Sequence, residues 1–225
     1  MAKGYILTPI YDITPFTALD FAGKLSAIIW FAGCNLRCAY CYNPHIVFGK
    51  GTISIAQVAA FLQKRRGLLE GVVMSGGEPT SCDSLIEICA YSKKIGYMVK
   101  LDTNGSNPDV LTKLLADKLL DFVSLDFKST KEKWRLVAGG GSFDTFLESL
   151  DLLLASKVPF EVRTTVHPEL LSDNDVRWMG EFLKRKGYDK RYYLQPYKHT
   201  DTIKKIKEPV GEWRDGFNKI DAIWR

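Results

Sequence analysis

Cys34, Cys38 and Cys41 stand in a C-x3-C-x2-C spacing within Gly33-Cys34-Asn35-Leu36-Arg37-Cys38-Ala39-Tyr40-Cys41-Tyr42-Asn43-Pro44, so three of the chain's five cysteines fall within eight residues. Three thiolates on one short loop form a soft-metal site that is one ligand short. A structural zinc site takes four protein ligands in a closed tetrahedron. A cubane iron–sulfur cluster also has four metal corners, normally filled by cysteines. Held by three, it keeps one iron open to a small molecule. His45 or Cys82 could instead complete a zinc site. Incidental core cysteines are harder to square with a polar loop that ends at Asn43-Pro44.

Four other polar strings follow short apolar runs. They are Gly76-Gly77-Glu78-Pro79, Asp102-Thr103-Asn104-Gly105, Ser124-Leu125-Asp126-Phe127-Lys128 and Arg163-Thr164-Thr165-Val166-His167. Each alone reads as a strand-end turn, and two aspartates with a lysine could form an ordinary surface ion pair. Cys89, among Ile86, Ile88 and Ala90, reads as core, and Cys82 near a helix start as structural.

The elements that must position these strings alternate. Strands are expected at Leu25 to Phe31, Gly71 to Ser75, Tyr97 to Leu101, Phe122 to Leu125, Phe160 to Val166 and Tyr192 to Gln195. Helices are expected from Ser54 as N-cap, over Ser84 to Lys94, Asp109 to Asp117, Phe143 to Ser156 (behind the turn Gly139-Gly140-Gly141) and Asp173 to Lys186. Tyr5 to Ile13 reads as an edge strand or hairpin broken at Pro9 and Pro15. Alternating β and α implies a parallel sheet with function at the strands' C-terminal ends, where the polar strings fall. A doubly wound sheet uses one switch point. Here nearly every strand end is decorated, which favours an α/β barrel, and six units make it a partial, laterally open (β/α)6 barrel. The expected organisation is an extension at 1–24 packed on the core, the barrel over 25–197, and a tail at 198–225.

The 225 residues, 46% apolar and 25% charged, suit one well-buried domain rather than a disordered chain. No apolar run reaches membrane-spanning length and the N-terminus has no signal-peptide pattern, so no membrane association and a cytoplasmic location are expected. An odd cysteine count in a reducing compartment points to metal or catalysis rather than disulfides. Net charge is +5, with mild concentrations at Lys184 to Arg191 and Lys204 to Lys207. A nucleic-acid site would interleave basic residues with exposed aromatics on one face, which periodicity does not show here, and no nucleic-acid partner is expected. An acidic docking partner is compatible with them.

Cys34-x3-Cys38-x2-Cys41, with aromatic Tyr40 before the third cysteine, resembles the radical S-adenosylmethionine (SAM) enzymes. The resemblance implies a 4Fe-4S cluster whose open iron is chelated by SAM, and a 5′-deoxyadenosyl radical formed by one-electron cleavage. Gly76, Gly77 and Glu78 then correspond to the site of SAM's amino group. The strings at Asp102-Thr103 and Asp126-Phe127-Lys128 resemble elements of glycyl-radical activating enzymes. There the aspartates, with positions such as Thr103 and Ser124, hold a monovalent cation, and the lysine meets SAM. Arg163 and Val166 correspond to positions lining the SAM pocket.

The segments Ile13 to Thr17, Asp20 to Lys24, Leu101 to Pro108 and Arg163 to Leu170 look most like the activating proteins of anaerobic ribonucleoside-triphosphate reductase. The implied partners are that reductase's large subunit and, as electron donor, a flavodoxin or ferredoxin. Relatives commonly carry His where Tyr42 stands and often a His near Lys198. Pyruvate formate-lyase activation and a small-molecule enzyme such as 7-carboxy-7-deazaguanine synthase are the alternatives. A zinc-binding interaction module is the reading from a different class.

Overall fold

The computed structural model describes residues 8–198, 202–209, 211, 213–217 and 221–225. The strands are β1 (Ile10–Thr17), β2 (Ser26–Phe31), β3 (Gly71–Gly76), β4 (Met98–Thr103), β5 (Phe122–Asp126), β6 (Phe160–Val166), β7 (Tyr192–Pro196) and β8 (Ile223–Trp224). They form one sheet in sequence order. β1 is antiparallel to β2, and every later pairing is parallel. β1 and β8 are the two edges and do not pair with each other, so the barrel is open at the side. The repeated βα units β2 to β7 are the expected six.

Side-chain alternation splits the sheet into two faces. Ala27, Ile29, Phe31, Val72, Met74, Val99, Leu101, Val123, Leu125, Val162 and Leu194 belong to one continuous buried core. That core takes in the apolar stripes of α2 (Ile55–Arg65), α3 (Leu85–Lys94), α4 (Pro108–Ala116), α6 (Phe143–Ala155) and α7 (Asp173–Arg185). The alternate residues face the barrel interior. At its floor Ile28, Val73 and Phe21 make a small separate cluster, and above them the interior carries charges.

Local signals place the helices. Ser54 and Gln57 form a capping box at the start of α2, and Ser172 and Asp175 form one at α7. Two short helices were not expected: α1 (Pro44–Val47) and α5 (Trp134–Ala138). The second is held by aromatic packing, with Trp134 5.5 Å from Phe146 and Phe127 stacked 4.7 Å from Phe146.

The N-terminal strand also differs from expectation. Residues 1–7, which include part of the stretch Tyr5 to Ile13, lie outside the described residues. The strand that forms runs past Pro15, with a register irregularity between Thr14 and Thr17. An edge position and a bulge remove the need for the ladder donor that proline lacks. No helix among the described residues is long and apolar enough to cross a membrane.

Candidate functional site

The cysteine loop leaves β2 at the C-terminal end of the barrel, and three neighbouring turns fix its backbone. From the end of β3, Gly77 N donates to Phe31 O and Glu78 N to Gly33 O, each at 2.9 Å. A Cβ on Gly77 would lie 1.7 Å from Gly33 O, so only glycine allows this approach. From the other side, Arg37 N donates to Ala138 O and Ala39 N to Val137 O, both at 2.9 Å, which ties the loop to the end of α5. Gly139 (φ 66°) ends that helix in the left-handed region, and a Cβ there would lie 2.3 Å from Arg37 O. The glycine triplet thus does more than turn the chain: it packs against the cysteine loop. The third support is the end of β4, where Asn104 Nδ2 donates to Asn35 Oδ1 at 3.0 Å.

Glu78 knits these turns together. It is 1% exposed. Its Oε1 accepts from Thr80 N (3.0 Å), Thr80 Oγ1 (2.6 Å) and Thr103 Oγ1 (2.8 Å), and its Oε2 accepts from Asn104 N (2.7 Å). Burial pushes its carboxyl above the usual range, and these hydrogen bonds oppose the rise. The resemblance puts Glu78 at the site of SAM's amino group; in the structure it lines the cavity and also joins the ends of β3 and β4 beneath the cysteine loop.

A cavity opens above the interior face. Cys34, Cys38, Tyr40, Cys41, Gly76, Gly77, Glu78, Asp102, Thr103, Asp126, Lys128 and Arg163 all line it. It continues past Ser75 to Trp30 and Asp20; Asp20 opens the Asp20 to Lys24 segment singled out above, whereas Trp30 carried no signal beyond strand alternation. Val166 does not line it. Alternation along β6 buries Val166 in the helix-packed core and gives Thr165 to the cavity instead.

The interior charges form a connected row. Arg163 spans two carboxylates, with Nη2 3.6 Å from Asp102 and Nε donating to Asp126. Lys128 Nζ donates to Asp126 Oδ2 at 2.9 Å, Ser75 Oγ donates to Asp102 Oδ2 at 3.0 Å, and Lys100 Nζ lies 2.8 Å from Asp102 Oδ1. Burial alone would raise the Asp126 carboxyl, but Arg163 and Lys128 outweigh it and hold the group down at about 2. Asp102 is likewise held low against burial by Arg163 and Lys100.

Asp102 and Asp126 are the aspartates expected beside a monovalent cation. A guanidinium stands between the aspartates here. Thr103 turns its hydroxyl to Glu78, and Ser124 donates at 2.8 Å to Glu161. The reason is register: Asp126 is paired with Arg163, and Ser124 with Glu161, on one face of adjacent strands.

The chemistry of the three thiols bears on a cluster site. Burial raises Cys34 to about 11 and Cys38 to about 12, so iron must displace protons to bind them. Cys34, Cys38 and Cys41 line one cavity, and a polynuclear cluster takes one thiolate on each of its protein-bound irons. His45 and Cys82, the candidate fourth zinc ligands, do not line the cavity. Tyr40 adds a second sign: its buried hydroxyl has no hydrogen-bond partner among the described residues, and Lys128 lies 5.8 Å from its ring centroid. The residues present fit a 4Fe-4S cluster and a zwitterionic ligand beside it. Tyr42 is half-exposed, with Lys198 Nζ 5.8 Å from its ring centroid.

Comparison with known proteins places these observations. The family model described as the radical SAM superfamily matches residues 28–182. A Methanocaldococcus jannaschii protein, provisionally named a glycyl-radical enzyme activating enzyme, is 32% identical over 228 residues, covering 92% of this chain and 93% of the relative. The pyruvate formate-lyase-activating enzyme of Streptococcus mutans is 29% identical, covering 82% of this chain and 75% of the relative.

Among solved structures, Streptococcus suis SuiB bound to its precursor peptide SuiA superposes with a TM-score of 0.69 at 13% identity, over 88% of this chain and 48% of that one. The structure of anSMEcpe with bound AdoMet gives 0.60 at 21% identity, over 82% of this chain and 52% of that one. The chain spans about half the length of these solved structures, and they speak to the fold alone.

Proposed function

This chain belongs to the radical SAM superfamily, and from that premise we propose that it is an activating enzyme that installs a glycyl radical on a partner protein. The family's cofactors are a 4Fe-4S cluster and SAM. Once bound, they supply reductive cleavage of SAM to a hydrogen-abstracting 5′-deoxyadenosyl radical. The chain's own residues hold, orient and shield that chemistry. In this reading Cys34, Cys38 and Cys41 are the cluster ligands. Backbone carbonyls at Gly76 and Gly77 would accept from the SAM ammonium, and Lys128 and Arg163 would offer donors to its carboxylate and ribose. Asp102 and Asp126 keep those cations charged and aimed. Glu78 is a positioning residue that holds the SAM-facing turns against the cysteine loop.

The observation that carries the activating role is the lateral opening. The cavity that holds the cysteines reaches Trp30 and Asp20, and the sheet's edges, β1 and β8, remain unpaired with each other. A loop of a second protein can enter a barrel of this shape, whereas a closed barrel excludes it. The near end-to-end match to an activating-type relative agrees with this role.

For the partner we take the large subunit of anaerobic ribonucleoside-triphosphate reductase, on the resemblance of Ile13 to Thr17, Asp20 to Lys24 and Arg163 to Leu170. Pyruvate formate-lyase is the second reading, favoured by relatives of that name. Reduced, cluster-loaded protein is incubated with SAM and each candidate enzyme, and EPR is recorded. A glycyl-radical doublet is expected with the reductase and is absent when its radical-site glycine is replaced by alanine. Formation of 5′-deoxyadenosine with no doublet from either enzyme would overturn the activating role.

A further inference from the structure

The lysine run near the C-terminus has no part in the cavity, yet the fold carries it directly to the cysteine loop. Ile203 N donates to Cys41 O and Lys204 N to Ala39 O, both at 3.2 Å, so this segment lies along the backbone of the ligand loop itself. Two further attachments fix it: Lys207 O lies 2.8 Å from His167 Nε2, and Ile206 packs against the main core. His167, 1% exposed, is braced edge-on by Tyr197 at 4.7 Å. This gives the buried histidine a mechanical role, since its ring anchors the strap.

Ile203 and Ile206 turn inward to intermediate burial, while Lys204, Lys205 and Lys207 are exposed. From Thr202 to Lys207 there are three cations, no acidic residue and no aromatic ring, and Glu208 follows. Without aromatic faces the patch offers nothing for base stacking. Its sign suits an acidic protein surface, and its attachment places it beside two of the three cysteine positions.

We propose that the strap Thr202 to Lys207 is the docking surface for an acidic one-electron carrier protein. This rests on the radical SAM reading, in which each SAM cleavage consumes one electron. The carrier loses one electron, the cluster gains it, and no proton or group is transferred. Electron transfer falls steeply with distance, so a carrier gains most by docking on the protein surface nearest the cysteines. Charge complementarity at such a patch acts mainly on association rate and is weakened by salt.

The test uses the full-length, cluster-loaded protein and a flavodoxin hydroquinone as probe. Cluster reduction is followed by stopped-flow absorbance, and binding by calorimetry. The variant Lys204→Gln/Lys205→Gln/Lys207→Gln is compared with Lys184→Gln/Arg185→Gln/Lys190→Gln on the other lysine-rich region. The strap variant should bind flavodoxin at least tenfold more weakly and accept its electron at least tenfold more slowly, with a flatter salt dependence. Reduction by dithionite, and SAM cleavage driven by it, should stay at the wild-type rate in both variants.

Unchanged flavodoxin kinetics in the strap variant would overturn the proposal. So would an equal loss in the distant variant, which would report net charge alone. A loss of binding to the glycyl-radical partner with flavodoxin transfer intact would reassign the surface to that partner. If wild-type protein cleaves no SAM even with dithionite, the radical SAM reading itself has failed, and that result is separable from the others.

Discussion

The two faces of the one sheet are built from alternate residues of the same strands and differ in nearly every physical respect. Along β4, Val99 and Leu101 enter the core while Lys100 and Asp102 enter the barrel. Along β5, Val123 and Leu125 face the helices while Ser124 and Asp126 face Glu161 and Arg163. The outer face is held by apolar burial, which is non-directional and tolerates repacking. The inner face is held by paired charges whose partners are individually specified. Buried pairs of this kind contribute weakly to net stability, but breaking one strands its partner. Stability therefore belongs mainly to one face and chemistry to the other, and the contrast can be tested by changing one face at a time.

The largest effect is expected at the inner face's upper end. Cys38→Ala should abolish iron retention and 5′-deoxyadenosine formation together, because a cubane left with two protein ligands should not persist. Iron content and product chromatography after anaerobic reconstitution measure this. Wild-type levels of product from that variant would remove the cysteine assignment.

Leu101→Ala, on the outer face of β4 and fully buried, should cost about 2–5 kcal/mol in urea unfolding. The fraction that remains folded should still bind SAM. Loss of SAM binding at full foldedness would mean that the faces are not separable.

Asp126→Asn sharpens the comparison through pH. A carboxyl whose pKa is held at about 2 stabilises the fold fully above its unfolded value, and that contribution is lost as pH falls through about 2. The variant should be less stable near neutrality and show a shallower loss between roughly pH 4 and pH 2, read by circular dichroism. Parallel acid limbs for variant and wild type would mean that the interior row carries no such linkage. The smallest effect belongs to Cys89→Ala on the outer side, expected to cost about 1 kcal/mol of packing and to leave iron content unchanged.

Legibility in the sequence follows the same division. The cysteine spacing, the glycine-rich string after β3 and the capping boxes are local patterns, read within a few residues. The alternation of strands and helices fixed the barrel class because periodicity reports which face is buried. Val166 and Ser124 show where this stops: each belongs to a recognisable string, yet strand register turned Val166 into the core and Ser124 toward Glu161. β8 has two residues, too short for a periodic signal. α5 is a single turn or so, held by rings at Phe127, Phe143 and Phe146 rather than by its own propensity.

By itself, then, the sequence determined that three soft ligands share a loop, that strand ends carry the polar groups, and that the repeat closes only part of a barrel. The tertiary structure decided which groups meet. Arg163 reaches two aspartates on neighbouring strands, Glu78 ties turns some twenty-five residues apart, and the segment at Ile203 returns to Cys41 from the far end of the chain. Spacing and periodicity record what each stretch buries. Pairing between stretches is set by register and by loop closure over long separations, and no local pattern encodes that.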